Sequence, residues 1–293
     1  MKARVKYALY LGCLIPAREL SYELATRRTM PALGVELVDM NGTSCCGPFA
    51  IQSLDYEGWL ALAARNLCIA EKMGLDIMAL CNDCYESLMM VNQTLKRDEE
   101  TRDKVNKILS VANKKFRGTV NVKHTMDVLC EDVGLDRIRS KVTKPLNGLR
   151  VATQVGCHLV RPKLLHAGVG RGFEVLDDLV GVLGAEPVEY DDKEICCGGP
   201  LRDIDDHLSR SLSSRKLAAL KRANVDCVVT ACPFCYIQFD LGQLEIKSLL
   251  KEEYDIPVLH FVELLSLAMG FKPEATQLRE HRVPIDRIVR KLA

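Results

Sequence analysis

The chain has almost no net charge and no long hydrophobic segment. Its 40 Lys and Arg residues and 39 Asp and Glu residues leave a formal charge of +1. That balance removes the long-range positive field with which a general nucleic-acid binder attracts phosphate. The best membrane-span candidate, 258–271, contains His260 and Glu263, whereas a span needs ~20 consecutive apolar residues. The sequence therefore predicts no nucleic-acid partner and no membrane span.

A flavin or nicotinamide fingerprint is also missing. The glycines of 168–172 follow no clear strand and lack the required helix start, so we interpret the segment as a loop. Lys2, Arg4 and the apolar stretch 7–17 superficially resemble a secretory signal. The same stretch is better interpreted as a first buried strand that ends at Cys13. We therefore expect a cytoplasmic protein.

Cysteine is the residue that the chain has in excess, with thirteen copies in 293 residues. Disulfide frameworks are typical of short secreted chains that lack a core. This chain is long enough for about two domains with cores of their own, and its cysteine count is odd. The adjacent pairs at 45–46 and 196–197, each followed by glycine, indicate metal or redox chemistry instead.

Ten of the thirteen cysteines form two sets with nearly the same spacing. In each set the first cysteine is followed, after 31 or 38 residues, by Cys-Cys-Gly and, after 34 more, by Cys-x-x-Cys. The repeat predicts a tandem duplication, with domains 1–145 and 146–293 joined near 144–148. The first set is Cys13, Cys45, Cys46, Cys81 and Cys84, and the second is Cys157, Cys196, Cys197, Cys232 and Cys235.

Strands and helices alternate along both halves. This order predicts an α/β fold of two Rossmann-like domains in tandem, with mainly parallel sheets and the cysteines in loops at strand ends. Such loops gather along one edge of a parallel sheet, so each half should collect its five sulfurs in one crevice. The predicted strands are 5–11, 35–39, 76–80, 150–155, 187–190 and 226–230, the predicted helices are 18–33, 56–73, 173–183 and 207–222, and each half closes with a strand and helix at 122–129 or 258–265.

Five thiolates in one crevice limit the kind of metal site. A structural zinc ion takes four ligands, as does an ordinary cubane iron–sulfur cluster. Five sulfurs with an adjacent pair therefore favour an enlarged or irregular iron–sulfur cluster, and zinc in one or both sets is the alternative. A catalytic dithiol would leave three cysteines of each set unexplained. Outside the sets, Cys68, Cys130 and Cys227 are interpreted as small buried hydrophobic residues.

The pattern resembles the duplicated cysteine-rich, or CCG, domain. Within that superfamily, the segments Gly12-Cys-Leu-Ile-Pro-Ala-Arg18, Gly156-Cys-His-Leu-Val-Arg-Pro162 and Pro233-Phe-Cys-Tyr-Ile-Gln-Phe-Asp240 resemble the B subunit of the heterodisulfide reductases of methanogenic archaea. The resemblance implies that each set of five cysteines holds a noncubane [4Fe-4S] cluster. It also implies that the mixed disulfide of coenzyme M and coenzyme B is reduced between the two clusters.

The resemblance further implies a multi-subunit complex. Electrons would come from a small ferredoxin-like subunit with two cubane clusters and from a flavin-containing iron–sulfur subunit, in a complex that couples this reduction to ferredoxin reduction by flavin-based electron bifurcation. A hydrogenase or formate dehydrogenase module would supply that complex. Two alternatives stay open: an electron-transfer subunit of a lactate-, glycolate- or quinone-linked system with the same duplicated domain, and a non-enzymatic zinc scaffold.

Five further residues are candidates for the substrate site. His158 follows Cys157, where the first repeat has Leu14, and is a candidate proton donor; support of a ligand sulfur is the alternative. The sulfonate and phosphate of the two coenzymes need cationic partners such as arginine. Four cations lie near the proposed ligands, each with a solvated surface role as the alternative: Arg18, Arg161, Lys163 and Arg202.

The basic tail, 272–293, is either a docking segment or a packed terminal strap. Its charge alone does not decide between the two.

Overall fold

The computed structural model describes residues 5–160 and 172–292, which form two halves built on the same plan. Each half has a four-stranded sheet in which every strand pair is parallel, and the strand orders are β2-β1-β3-β4 and β6-β5-β7-β8. Parallel strands need crossover connections, and here helices provide them. The predicted α/β fold with duplicated parallel sheets is confirmed.

The first half begins with the strand that the sequence predicts and ends with a short π-helix followed by one helical turn. Its strands are β1 (Val5–Tyr10), β2 (Val35–Asp39), β3 (Ile77–Ala79) and β4 (Val122–His124). Its helices are α1 (Leu14–Arg18), α2 (Leu20–Leu33), α3 (Phe49–Leu54), α4 (Tyr56–Met73), α5 (Asn82–Arg97), α6 (Glu99–Ser110), α7 (Thr125–Asp127), the π-helix Val128–Val133 and α8 (Leu135–Arg139).

The second half repeats this order, and the C-terminal segment follows it. Its strands are β5 (Arg150–Gln154), β6 (Glu186–Pro187), β7 (Cys227–Thr230) and β8 (Val258–His260). Its helices are α9 (Cys157–Val160), α10 (Val175–Val182), α11 (Asp206–Arg222), α12 (Pro233–Phe239), α13 (Leu241–Leu250), α14 (Phe261–Ala268) and α15 (Asp286–Lys291), with 3₁₀ turns at Gly199–Leu201, Pro273–Thr276 and Leu278–Glu280.

Helices replace loops around several cysteines. The sequence predicts the cysteines in loops, but Cys84 and Cys235 lie in the first turns of α5 and α12, and Cys157 is the first residue of α9. The edge strand β6 is also shorter than predicted, with two residues in place of four. The missing N–H of Pro187 is not needed in this ladder, because the N–H groups on either side donate to β5: Glu186 to the Leu149 carbonyl and Val188 to the Val151 carbonyl, both at 2.9 Å.

The two halves pack against each other through helices of both. Helix α2 of the first half packs on α14 of the second, and α5 packs on α9. In the first contact, the ring of Tyr22 stacks on the imidazole of His260, with centroids 3.7 Å apart. In the second, the Asn82 amide donates a 2.7 Å hydrogen bond to the Val155 carbonyl. These contacts bring the Gly-Cys and Cys-x-x-Cys segments of the two halves together.

The basic tail is a packed strap along its described part. Leu278, Ile285 and Ile288 are fully buried or nearly so. His281 donates from Nδ1 to the Val258 carbonyl at 2.7 Å, which ties the tail to strand β8. Of the two alternatives that the sequence leaves open, the structure favours the strap.

Candidate metal centres

Equivalent backbone segments present the last two cysteines of each set. Cys81 follows β3 and caps α5, and Cys232 follows β7 and caps α12. Both cap residues have extended backbone, after which the helix turns its next cysteine towards the same side. Pro233 occupies the first position of α12, where a backbone N–H would have no acceptor within the helix, so proline costs no hydrogen bond.

Two glycines are required by close approaches at the sites. Gly12 has φ +68°, and a Cβ there would lie 2.8 Å from the sulfur of Cys84. Gly198, after the second cysteine pair, has φ +84°, and a Cβ there would lie 2.6 Å from the Ser209 carbonyl. A side chain at either position would therefore combine backbone strain with a clash.

Each set of five cysteines lines one cavity. The first cavity, about 50 Å³, is lined by all five cysteines of the first set. The second, about 180 Å³, is lined by all five of the second set. The geometry thus agrees with the predicted gathering of each set in one crevice.

The two cavities are neighbours and share part of their wall. Pro48 and Asp83 of the first half and Phe234 of the second line both cavities. The first half also contributes Asn82 to the second cavity, and the second half contributes Pro233 to the first. Each Cys-x-x-Cys segment therefore helps to enclose the sulfurs of the other half.

Hydrogen bonds between thiols connect all ten sulfurs in one chain. The cysteines of each half are connected in the equivalent order, and the two series join where Cys81 contacts Cys232. From the first half to the second, the order is Cys13, Cys45, Cys46, Cys84, Cys81, Cys232, Cys235, Cys197, Cys196 and Cys157.

This crowding divides the thiols into acceptors and donors. Hydrogen bonds from Cys13 and Cys46 lower the pKa of Cys45 to about 2, and those from Cys157 and Cys197 lower the pKa of Cys196 to about 2. The donors respond in the opposite direction: the hydrogen bond to Cys45 is the main cause that raises the pKa of Cys13. Protein groups alone therefore do not allow five neighbouring thiolates to exist together.

A metal centre fits this donor set. Bound cations hold several thiolates deprotonated at once. All thirteen cysteines are free of disulfides, and backbone N–H groups already point at sulfur: Gly198 donates to Cys196 and Gly199 to Cys197, both at 3.4 Å. Hydrogen bonds of this kind tune iron–sulfur centres.

Buried side chains hold the Cys-Cys-Gly loops from the helices behind them. The Ser87 hydroxyl donates to the Cys46 carbonyl at 3.0 Å and accepts from Trp59 Nε1 at 2.8 Å. In the second half, Gln238 takes the place of Ser87 and donates to the Cys197 carbonyl at 3.2 Å. Sequence analysis missed both residues, although each lies three positions after the last cysteine of its set.

Comparison with known proteins places the chain in a family. The family model of the CCG cysteine-rich domain matches residues 7–89 and 151–240. The B subunit of the ferredoxin/F(420)H(2)-dependent CoB-CoM heterodisulfide reductase of Methanosarcina acetivorans is 40% identical over 95% of this chain and 94% of its own length. The chain belongs to the family of heterodisulfide reductase B subunits and has two cysteine-rich domains.

Relatives of this B-subunit family extend beyond proteins named as disulfide reductases. The 8-methylmenaquinol:fumarate reductase membrane anchor subunit of Wolinella succinogenes is 31% identical over 90% of this chain and 92% of its own length. In this chain, no helix of the described ranges is long and apolar enough to cross a bilayer.

A solved structure shares the fold. The crystal structure of a hypothetical protein from Helicobacter pylori superposes with a TM-score of 0.75, covering 95% of this chain and 52% of that one. At 13% identity, this likeness shows the fold alone.

His158 lines the second cavity and contacts two carboxylates of the first half. Its Nδ1 pairs with Glu86 and lies 3.5 Å from Asp83. Burial alone would lower the pKa of His158, but the hydrogen bond with Glu86 and the nearby carboxylate charges outweigh it and raise the pKa to about 9. Sequence analysis missed Asp83 and Glu86, which lie inside and just after the first Cys-x-x-Cys motif.

The described cationic candidates lie outside both cysteine cavities. Arg18 lines a separate open cavity of about 730 Å³ between the halves, together with Tyr236 and Arg282. Arg202 pairs with Glu245 and donates to Gln238 at 3.2 Å. Arg161 and Lys163 lie outside the described residues, as does most of the predicted loop at 168–172.

Proposed function

We propose that this chain is the disulfide-reducing iron–sulfur subunit of a heterodisulfide reductase. In this proposal each cysteine set holds one noncubane [4Fe-4S] cluster. The substrate is the mixed disulfide of coenzyme M and coenzyme B, which is reduced to two thiols between the clusters. The observation that carries the proposal is the pair of adjacent cavities, each lined by five cysteines and separated by a wall that both halves share.

The reaction requires two electrons and two protons for one S–S bond. Breaking R–S–S–R′ produces two thiolates, and each takes up one proton to become a thiol. The clusters would supply single electrons and iron as a temporary partner for sulfur. The protein's own contribution is to hold the substrate disulfide at the wall between the cavities and to exclude water from it.

The walls of the second cavity suit a substrate with both apolar and proton-accepting parts. Pro48, Ile204 and Phe234 give this cavity an apolar lining. Asp83 and His158 add ionisable groups to the same lining. We propose that His158 is the proton donor to one departing thiolate, because it is the imidazole placed in this cavity beside Cys157.

Recognition of the coenzyme anions stays a prediction for Arg18, Arg161, Lys163 and Arg202. The position of Arg18 in the open cavity between the halves supports a role at the entrance, away from the sulfurs. The pairing of Arg202 with Glu245 gives this guanidinium a structural partner already. Anion binding by Arg202 would therefore require this ion pair to open.

The proposal includes partners that supply electrons. By family, they are a ferredoxin-like subunit with two cubane clusters, a flavin-containing iron–sulfur subunit, and a hydrogenase or formate dehydrogenase module. The proposal also includes a cytoplasmic location, because a reducing compartment keeps cysteines, whether cluster ligands or thiols, out of disulfides.

The test is metal and sulfide analysis of anaerobically purified chain, followed by spectroscopy with substrate thiol. About eight iron atoms per chain with matching sulfide, two [4Fe-4S] groups, are expected. Coenzyme M thiol, added under oxidising conditions, should produce a new paramagnetic signal, and the complex should reduce the heterodisulfide. Zinc without sulfide would leave only a scaffold.

A second candidate is electron transfer with a quinol. The 31% identity to the methylmenaquinol:fumarate reductase protein over nearly the whole chain favours this alternative. It predicts the same iron and sulfide content but no spectroscopic response to coenzyme M thiol. A menaquinol analogue would then reduce the clusters directly.

A further inference from the structure

The two halves place different side chains at one equivalent position behind their cysteine pairs. Helices α4 and α11 both begin after an aspartate cap, Asp55 or Asp205, whose carboxylate accepts from the backbone N–H three residues later. Eleven residues after each cap, the first half has Asn66 and the second has Lys216. Both side chains are fully buried.

Asn66 and Lys216 both donate hydrogen bonds to the loop that precedes the cysteine pair of their half. Asn66 donates to the carbonyls of Ser44 and Cys45 at 3.3 and 3.2 Å. Lys216 donates to the carbonyls of Asp192, Lys193 and Ile195 at 2.8, 3.0 and 2.7 Å. Each side chain therefore fixes the loop that leads into its cysteine pair, but one is neutral and the other is an ammonium group.

The ammonium of Lys216 has no carboxylate to neutralise it. Across the two described ranges, no carboxylate oxygen lies within 4.0 Å of its Nζ, and the nearby Asp192 is engaged by Arg215 at 2.7 Å. The ring of Tyr190 lies 5.7 Å away. Three carbonyls accept from Nζ, and only the ammonium form has three N–H groups to donate. Burial lowers the pKa of Lys216 to about 8, while the sulfurs of the second set act in the opposite direction.

The other cations near the two sets are compensated or exposed. His158, beside the second set, is paired with Glu86 and lies near Asp83. Arg65, the residue before Asn66, reaches the Ser44 hydroxyl at 3.2 Å but is partly exposed, so water screens its charge. The difference between Asn66 and Lys216 is therefore a difference of one buried positive charge.

We propose that Lys216 raises the reduction potential of the iron–sulfur centre in the second cysteine set above that of the first. This inference rests on the proposed function, because it requires a redox centre in each set. Reduction adds a negative charge, which a buried and uncompensated cation stabilises strongly at low dielectric. Net charge is one of the factors that set iron–sulfur potentials. The first electron delivered to the chain then resides in the second set, beside the larger cavity.

The experiment is a redox titration of the metal-loaded full chain, monitored by paramagnetic resonance. Wild type should reduce in two separate steps. In Lys216→Gln, which keeps an amide donor for the loop but loses the charge, the higher-potential step should move down. At the wild-type midpoint of that step, the ratio of reduced to oxidised centres should fall about tenfold, equivalent to about 59 mV for one electron. The lower step should stay in place.

Two matched variants separate charge from structure. Lys216→Arg keeps the positive charge and should retain the wild-type potential. Lys221→Gln removes a cation from an exposed position of the same helix, without releasing a carboxylate beside Lys216, and should shift neither step.

The inference is overturned by a single merged step in wild type, by an equal shift of both steps in Lys216→Gln, or by no shift at all. A Lys216→Arg variant that behaves like Lys216→Gln would show that packing and not charge sets the potential. Wild-type chain that contains no iron or sulfide would overturn the proposed function and this inference together. Normal metal content without the shift would overturn the inference alone.

Discussion

The thiols of Cys81 and Cys232 hydrogen-bond to each other across the boundary between the two halves. They are equivalent residues, since each follows the third strand of its half and caps the next helix. Through this contact the charge on one set of sulfurs acts on the other. The two thiols share one proton-donating position, so one of them stays a thiol, with a raised pKa, while the other becomes a thiolate.

Removing the first cysteine pair should remove one metal centre and leave the other. We expect the double substitution Cys45→Ser, Cys46→Ser to reduce iron and acid-labile sulfide to about half, because two of the five sulfurs around the first cavity are lost. The measurement is metal and sulfide per chain. Cys68→Ala serves as the control, since Cys68 lies outside both sets, and it should keep the full content. Unchanged iron in the double variant would contradict the assignment.

Gly12→Ala should reduce metal loading of the first set. The added Cβ would lie 2.8 Å from the Cys84 sulfur, so the sulfur must move. Gly42→Ala is a matched control, because Gly42 also has positive φ, +80°, but nothing lies within 4 Å of its added Cβ. In both variants, backbone strain should lower the free energy of unfolding by about 1 kcal/mol. Only Gly12→Ala should contain less iron than wild type. Equal iron in the two would show that the close approach to sulfur is unimportant.

His158→Gln should slow disulfide turnover by about 10²-fold or more if the imidazole delivers a proton. The metal content should remain that of wild type, because the ligand set is unchanged. The measurement is the rate of heterodisulfide reduction across neutral pH, with iron quantified in the same samples. Full turnover over that range would remove His158 from the mechanism.

The buried pair of His281 and Glu263 should make stability depend on pH. Their Nε2 and Oε1 atoms lie 3.3 Å apart. Burial alone would lower the pKa of His281, but the Glu263 carboxylate outweighs it and raises the pKa to about 9. A folded pKa above the unfolded value of about 6.5 stabilises the fold fully below that value, and the contribution is lost as the pH rises through 9.

Because the variant also loses the hydrogen bond from Nδ1 to Val258 at every pH, we expect His281→Gln to destabilise the metal-loaded chain by roughly 3 kcal/mol more near pH 6 than near pH 10. The difference between the thermal midpoints of wild type and variant should narrow from the lower pH to the higher one. His207→Gln, at an exposed position, is the control and should show no such convergence. A constant difference across the range would mean that packing and not charge supplies the stabilisation.

Most strands and long helices could be predicted, because the hydrophobic pattern that identifies them lies within each segment. Apolar runs such as 35–39 form strands with the predicted bounds, and the helix predicted at 56–73 has the same ends in the structure. The helices that follow the Cys-x-x-Cys motifs were missed. These helices begin at Asn82 and Pro233. Asparagine and proline are also common in turns, so without the tertiary packing the sequence around the cysteines resembles a loop.

The grouping of the ten cysteines could be predicted from the sequence, but the side chains that surround them could not. The duplicated spacing identifies the ten cysteines, and all ten line the two cavities. Spacing contains no information on how the halves face each other, so the pairing of His158 with Glu86, 72 positions apart, could not be anticipated. The same reason applies to Arg202, which lies near Cys197 in sequence but pairs with Glu245.

The exchange of wall residues between the halves constrains how such a protein could arise. Phe234 lines the first cavity and Asp83 lines the second, so neither half encloses its own sulfurs alone. A reciprocal exchange of this kind is what two identical chains make around a two-fold axis. A single half would therefore need a second copy of itself to enclose its sulfurs. Within one chain the equivalent positions of the two halves can differ, as Leu14 and His158 do.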